Sequence, residues 1–341
     1  VLGYKNSAGF GYRFNIEDPL SLASLAITAA YTAAGNLPSN EQPHLDVRYR
    51  YLGWRADLSW NRPDFYDLFG PTKRSRKGLA TKVGHDALLI YDEPRRLELK
   101  ADFAYYDKLD TLPQSQNVVS TATRLRTAGA GLYYTDMRRS LGAVDDEKGI
   151  TWDVVLNTNH ANGQTIGLLR GDLDYGWSLP FAHSSVWLRN SAGVADGERS
   201  DPYANFFFGG FGNNYVDGGP DRPEKRYREY YAYPGFKINE IGGRSYTRHL
   251  LEWNLPPYVF ESVGAPAFHL TWLRPAVFAS ALWTEPANSS LRTRYTNLGA
   301  QIDLRFSVLH WYDFTLSLGY AVGYRDGQRA GNEWMISLKL L

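Results

Sequence analysis

Tyr312 to Tyr324 reads Tyr-Asp-Phe-Thr-Leu-Ser-Leu-Gly-Tyr-Ala-Val-Gly-Tyr. Its even positions (Tyr312, Phe314, Leu316, Leu318, Tyr320, Val322, Tyr324) are apolar or aromatic, and its odd positions (Asp313, Thr315, Ser317, Gly319, Ala321, Gly323) are polar or small. Side chains alternate between the two faces of a strand, so this segment has one apolar face and one wet or crowded face. A soluble strand is commonly about 5–6 residues long, whereas one crossing the hydrocarbon layer needs roughly 9–11 at a steep tilt. Tyrosines at the ends of the stripe suit the bilayer interface, where amphipathic rings settle.

The pattern recurs. Phe10, Tyr12, Phe14 and Ile16 alternate with Gly11, Arg13 and Asn15. Leu45, Val47, Tyr49 and Tyr51 alternate with His44, Asp46, Arg48 and Arg50; Trp54, Ala56, Leu58 and Trp60 alternate with Arg55, Asp57, Ser59 and Asn61. Leu97, Leu99, Ala101, Phe103 and Tyr105 interleave with Glu98, Lys100, Asp102 and Ala104, and Leu298, Ala300, Ile302, Leu304 and Phe306 with Asn297, Gly299, Gln301, Asp303 and Arg305. Charges on one face of so many strands do not suit a dry core. They suit a barrel with lipid outside and water inside.

Composition points the same way. Mean hydropathy is −0.41, and no apolar run reaches the ~20 residues of a spanning helix. Leu20 to Ala34 is interrupted by Ser21, Ser24, Thr28 and Thr32 and reads as a strand. Without helical spans, a membrane chain must close a sheet, because backbone groups cannot go unpaired in lipid. Aromatics make up 15% of the chain, with 24 Tyr and 10 Trp, as aromatic girdles require. Cysteine is absent, which excludes disulfides and thiol catalysis. The net charge of +1 supplies no global field for nucleic acid. Val1 opens without a secretory signal, as in a mature chain or a fragment.

The periodicity predicts strands near 7–16, 22–33, 43–51, 53–61, 79–91, 96–107, 122–136, 148–158, 164–177, 184–195, 244–255, 267–283, 293–307, 311–325 and 332–340. Short connections (17–19, 52–53, 92–95, 179–181, 309–310) alternate with longer ones (34–42, 62–78, 108–121, 159–163, 196–243, 284–292, 326–331). Short periplasmic turns and long extracellular loops are the outer-membrane arrangement. The expected fold is therefore all-β: one transmembrane antiparallel β-barrel over 1–341, of about 16 strands since such barrels close with an even number. Its first strand is short or missing. The lipid-facing set includes Leu298, Ile302, Leu304, Phe314, Leu316 and Leu318.

Three motifs resemble the BamA/TamA surface-antigen superfamily. Pro63-Asp64-Phe65-Tyr66-Asp67-Leu68-Phe69-Gly70-Pro71 is similar to its Phe-Tyr-Gly-x-Gly element. Phe207-Phe208-Gly209-Gly210 opens the longest loop, as Gly-Gly does before that family's sixth loop. Ile241-Gly242-Gly243 then leads into a strand with Glu252, Leu255 and Pro256, like the family's Gly-Gly…Glu-x-x-x-Pro. Gly212-Asn213-Asn214-Tyr215 stands at the loop tip without the family's Arg, and Phe278-Ala279-Ser280-Ala281 replaces its Phe-x-Asp-x-Gly. The chain is also similar to barrel modules found behind TolB-like propellers, which leaves open whether a propeller or periplasmic domain precedes it. The resemblance implies a Gram-negative outer-membrane anchor or protein assembly and translocation module, with periplasmic or surface protein partners. It also implies a 196–243 loop folded into the lumen through Gly209, Gly210, Asn213, Asn214, Tyr215, Gly242, Gly243 and Glu252.

The residues alone leave other readings open. Arg48, Arg50, Arg55, Asp57, Lys100, Asp102, Asp303, Arg305 and Asp313 would line a passive diffusion channel, or pair across strands in a lumen that loops block. Lys73-Arg74-Ser75-Arg76-Lys77 would bind lipopolysaccharide phosphates or stay a solvated loop tip. Asp145, Asp146 and Glu147 read as a solvated turn. The seven histidines show no metal-ligand spacing, and no nucleophile, base and acid set is legible, so neither enzyme, metal nor cofactor is expected.

Overall fold

The computed structural model describes residues 2–4, 7–33, 37–61, 68–69, 72–75, 77–111, 122–212, 216–217 and 224–340. Its long strands are β1 (Ser7–Glu17), β2 (Ala23–Tyr31), β3 (Pro43–Tyr51), β4 (Trp54–Trp60), β5 (Leu79–Asp92), β6 (Arg95–Tyr106), β7 (Leu125–Arg138), β8 (Lys148–Ala161), β9 (Gln164–Ser178), β10 (Ser185–Ala195), β11 (Ser245–Asn254), β12 (Phe268–Thr284), β13 (Thr293–Val308), β14 (Tyr312–Arg325) and β15 (Gln328–Leu340). Each pairs antiparallel with the next along the chain, in one large sheet. The short strand Leu2–Tyr4 adds to β1. Each expected strand is present, with ends shifted by a few residues.

Register explains the two faces. Across β13 and β14, Ile302 opposes Leu318 and Leu304 opposes Leu316, while Gln301 opposes Gly319 and Asp303 opposes Ser317. Apolar pairs thus stack on one side of the sheet and polar or small pairs on the other. Burial runs opposite to that of a soluble protein. Leu298 and Ile336 are 62% and 61% exposed, whereas Asp303 and Thr315 are 0%. Phe314, Leu316 and Leu304 lie half-buried on the same outward face as Ile302 and Leu318. An aromatic row, Phe268–Phe306–Phe314 with ring centroids 5.4 Å apart at each step, runs along one end of that face. From Phe314 to Tyr324 a strand rising about 3.3 Å per residue covers ~33 Å, which at a tilt of about 40° spans the ~25 Å apolar band of an outer-membrane protein. An all-β chain that turns its apolar side chains outward in this way belongs in the bacterial outer membrane.

The expected contrast between loop ends needs correction. Asn162-Gly163 and Asp326-Gly327, expected within longer loops, are two-residue hairpin turns with both residues at positive φ (51° and 79°; 48° and 83°). Asn-Gly and Asp-Gly favour that left-handed geometry, which matches strand twist. At the other end, connections 139–147 and 255–267 are longer than turns. The 196–244 connection remains the longest.

Candidate functional site

The long loop is closed at its base by a small antiparallel pair, Phe206–Phe208 with Ile241–Gly243. Gly242 opposes Phe207 and Gly243 opposes Phe206, while Gly210 bridges to Tyr233 just beyond the pair. Gly209 follows at φ 150°, and a Cβ there would lie 1.9 Å from the Lys237 carbonyl oxygen. Only glycine permits that backbone approach. Phe206, Phe208, Tyr233, Phe236, Ile241 and Tyr246 form a buried cluster under this closure.

Beyond its base the loop lies on the inner face of β11–β15. Tyr227 stacks on Phe278 of β12 at 4.2 Å, and Phe211 meets the same ring edge-on at 6.1 Å. Gly319 and Gly323 of β14 leave room for Phe211 and Phe236, whose rings would stand 2.8 and 2.4 Å from an added Cβ. Polar inner-face groups hold the loop backbone. Glu333 accepts from the N–H groups of Gly235 (3.1 Å) and Phe211 (3.3 Å), Asn297 donates to the Pro234 carbonyl (2.9 Å), and Gln301 donates to that of Glu224 (3.3 Å). Buried backbone groups need such partners, so these bonds define the path of the loop.

The tip ends in a buried charge cluster centred on Glu252 of β11. Glu252 is fully buried; it accepts from Arg228 (2.7 Å), the Tyr227 hydroxyl (3.0 Å) and Arg189 of β10 (2.9 Å). Lys225 reaches the Asn254 side chain and lies 3.7 Å from both Glu252 and Asp145. Asp145 pairs with Arg228 (2.8 Å) and Arg274 of β12 (3.2 Å), and Arg274 also pairs with Asp303 of β13 (3.0 Å). Burial alone would raise the Asp145 carboxyl, but Arg228, Arg274 and Lys225 hold it far below the usual carboxylate range. Burial, with Arg274 and Arg228 nearby, pushes the Lys225 ammonium down to about 7, against Glu252 and Asp145. Breaking a buried pair is costly because the remaining partner is left uncompensated.

The inner face of β3–β6 differs. Its charges pair, Arg48 with Asp46 (2.6 Å), Arg50 with Asp57 (2.6 Å), Arg55 with Asp86 (2.9 Å), Lys82 with Asp102 (3.3 Å) and Lys100 with Glu98 (2.9 Å), yet most stay partly exposed, Asp46 being buried. The Arg48 and Lys82 side chains are each 42% exposed. Toward the strand ends, Arg305 and Asp313 pair at 3.0 Å. Charges pair along or across strands on both sides, buried beneath the loop on one and more exposed on the other.

Of the residues singled out in the sequence, Gly242 and Gly243 lie in the closure at the loop base, Gly209 and Gly210 directly beyond it, and Glu252 on β11 where the loop tip docks; Asn213, Asn214 and Tyr215 lie outside the described residues. The 63–71 motif also lies outside them, apart from Leu68–Phe69. In the basic run, Lys77 pairs with Glu41 at 2.8 Å, and the side chains of 73–76 are not described. Asp145 and Glu147 do not sit in a solvated turn: Asp145 enters the charge cluster, and Glu147 accepts from Ser140 and pairs with His183 at 2.9 Å. Sequence reasoning missed Arg228, Arg189, Lys225 and Arg274. Their only signal was the charged run 221–229 and basic residues at inward strand positions.

No family model matches the chain, and no curated protein matches it. Among solved structures it is similar to Pseudomonas aeruginosa OpdQ, with 10% identity over 98% of this chain and 91% of that one, at a TM-score of 0.48. With no family model matching, the resemblance to the BamA/TamA superfamily is not upheld. The motifs that suggested it have local causes: the glycine pairs allow close backbone approach at the loop base, and Glu252 neutralises the loop's own cations.

Proposed function

We propose that the chain closes into an outer-membrane barrel and acts as a passive diffusion channel, narrowed by the 196–244 loop. One observation carries the reading: the inner face is dry and loop-covered along β11–β15 but lined with hydrated ion pairs along β3–β6. A polar, water-lined interior behind a lipid-facing exterior is the construction of a diffusion pore. Closure would bring the Leu2–Tyr4 end of the sheet to β15, for about 16 strands. The 196–244 end is assigned to the cell exterior and the 139–147 end to the periplasm, from loop length. The aromatic and aliphatic outer face takes lipid as its partner.

Single-channel recording in planar bilayers tests the proposal. A steady, ohmic conductance is expected from purified protein, larger after residues 200–240 are replaced by a short Gly/Ser linker. Protein that folds and inserts but passes no current in either form contradicts a channel.

A further inference from the structure

A cavity of about 360 Å³ lies where the hydrated and covered halves of the inner face meet, between strands β7–β11 and loop residues 228–231. Pockets from about 300 Å³ upward accommodate small-molecule ligands. Most of its charges are paired, Arg248 being the exception. Arg170 of β9 pairs with Asp153 of β8 (2.8 Å) and with Asp172, and Arg189 pairs with Asp174 and Glu252. Arg248 spends two N–H groups on the carbonyls of Glu229 (3.0 Å) and Tyr227 (2.8 Å); its buried Nε has no hydrogen-bond partner among the described residues. The lining holds four arginines, Arg170, Arg189, Arg228 and Arg248, against four carboxylates, those of Asp153, Asp172, Asp174 and Glu229, so it is formally neutral.

Tyrosines complete it. The Arg170 guanidinium lies 4.3 Å from the Tyr230 ring centroid, and Tyr133 and Tyr231 also line the space. On the hydrated side, Lys100 Nζ stands 5.0 Å from the Tyr133 ring, so the cavity adjoins the β3–β6 surface. Apart from Arg248, whose guanidinium is buried and held by two backbone carbonyls, the lining charges already have countercharges, so an ion entering here loses its hydration for little new pairing. A neutral polyhydroxyl ring loses less. Its hydroxyls can both donate to the carboxylates and accept from the guanidiniums, and its C–H face can lie on a tyrosine.

We infer that this cavity is a subsite for neutral polyols, of mono- or disaccharide size, beside the diffusion path. The inference rests on the channel reading for its role in transport, but not for binding itself. Calorimetry on detergent-purified protein, with sucrose, gluconate and arginine as probes, therefore runs alongside single-channel recording with the same probes. Sucrose is expected to bind and to interrupt the current transiently, with gluconate and arginine at least about tenfold weaker. Arg170→Lys, which keeps the charge but loses the planar donor fork, is expected to weaken sucrose about tenfold, as is Tyr133→Ala by a smaller factor. Sucrose binding without any current would uphold the subsite and sink the channel. Conducting protein that binds no sucrose, prefers either ion, or keeps full sucrose affinity in both folded variants overturns the subsite.

Discussion

Arg228 and Asp145 meet 2.8 Å apart although they come from opposite ends of the sheet. Arg228 belongs to the loop between β10 and β11, Asp145 to the turn between β7 and β8. The loop therefore runs the depth of the inner face and is fastened at its far end by charge, while aromatics hold it along the way.

Arg228→Ala leaves Glu252 buried with one fewer partner and Asp145 short of its nearest one. Removing one member of a buried pair typically costs about 3–5 kcal/mol. The variant is expected to keep its sheet yet release the loop tip, seen as new protease cleavage within 224–233 and raised conductance. Unchanged protection and current would show that the cluster does not fasten the loop.

Gly319→Val places a branched side chain where Phe211 now lies 2.8 Å from an added Cβ. Overpacking of this kind costs about 1–3 kcal/mol. Hydrogen exchange is expected to accelerate around Phe211 while the β13–β14 amides stay protected. Loss of protection across the whole sheet would instead mean that Gly319 serves strand pairing.

Acid and base act in separate windows. Lys225 sits at about 7 when docked and near 10.4 when released, so between these values the released loop binds more protons and docking strengthens as pH rises. The depressed Asp145 carboxyl contributes docking stability above its ordinary value of about 3.9, which is lost as pH falls below it. Protease protection of 224–233 is expected to grow from pH 7 to 9.5 and to collapse near pH 3. A Lys225→Met protein should lose the alkaline trend and keep the acidic one. Protection that falls between pH 7 and 9.5 in the parent protein contradicts this assignment.

Leu318→Arg puts a charge on the outward face, where Leu318 is 46% exposed opposite Ile302. Near the bilayer midplane this costs about 2–4 kcal/mol. Reduced assembly is expected, read as loss of the heat-modifiable gel band. Ser317→Ala, on the other face, should assemble normally.

Strands were legible in the sequence because a two-residue period records which face each side chain takes. Phe314, Leu316 and Leu318 declare their side without any neighbour being known. The path of the loop was not legible, because nothing local to Lys225 or Arg228 specifies a partner on β11 or in the 139–147 turn. Glu252 was picked out for a motif likeness, yet its burial comes from cations about 24 and 63 residues away in sequence, a separation that periodicity cannot report. Asp145 was misread for the same reason: acidic runs in turns are ordinarily solvated, and only the tertiary fold brings Arg274 and Arg228 to this one.

Thiol accessibility along the sheet tests the central claim most directly, since the chain has no cysteine and each introduced one reports alone. Cysteines at Arg50, Arg55 and Asp57, in protein embedded in lipid vesicles, should react with a water-soluble maleimide. Those at Leu298, Ile302 and Leu318 should not, and a fluorophore placed there should be quenched from the lipid phase. Rapid aqueous labelling at 298, 302 and 318 with protection at 50, 55 and 57 would place oil and water on the wrong sides of this sheet.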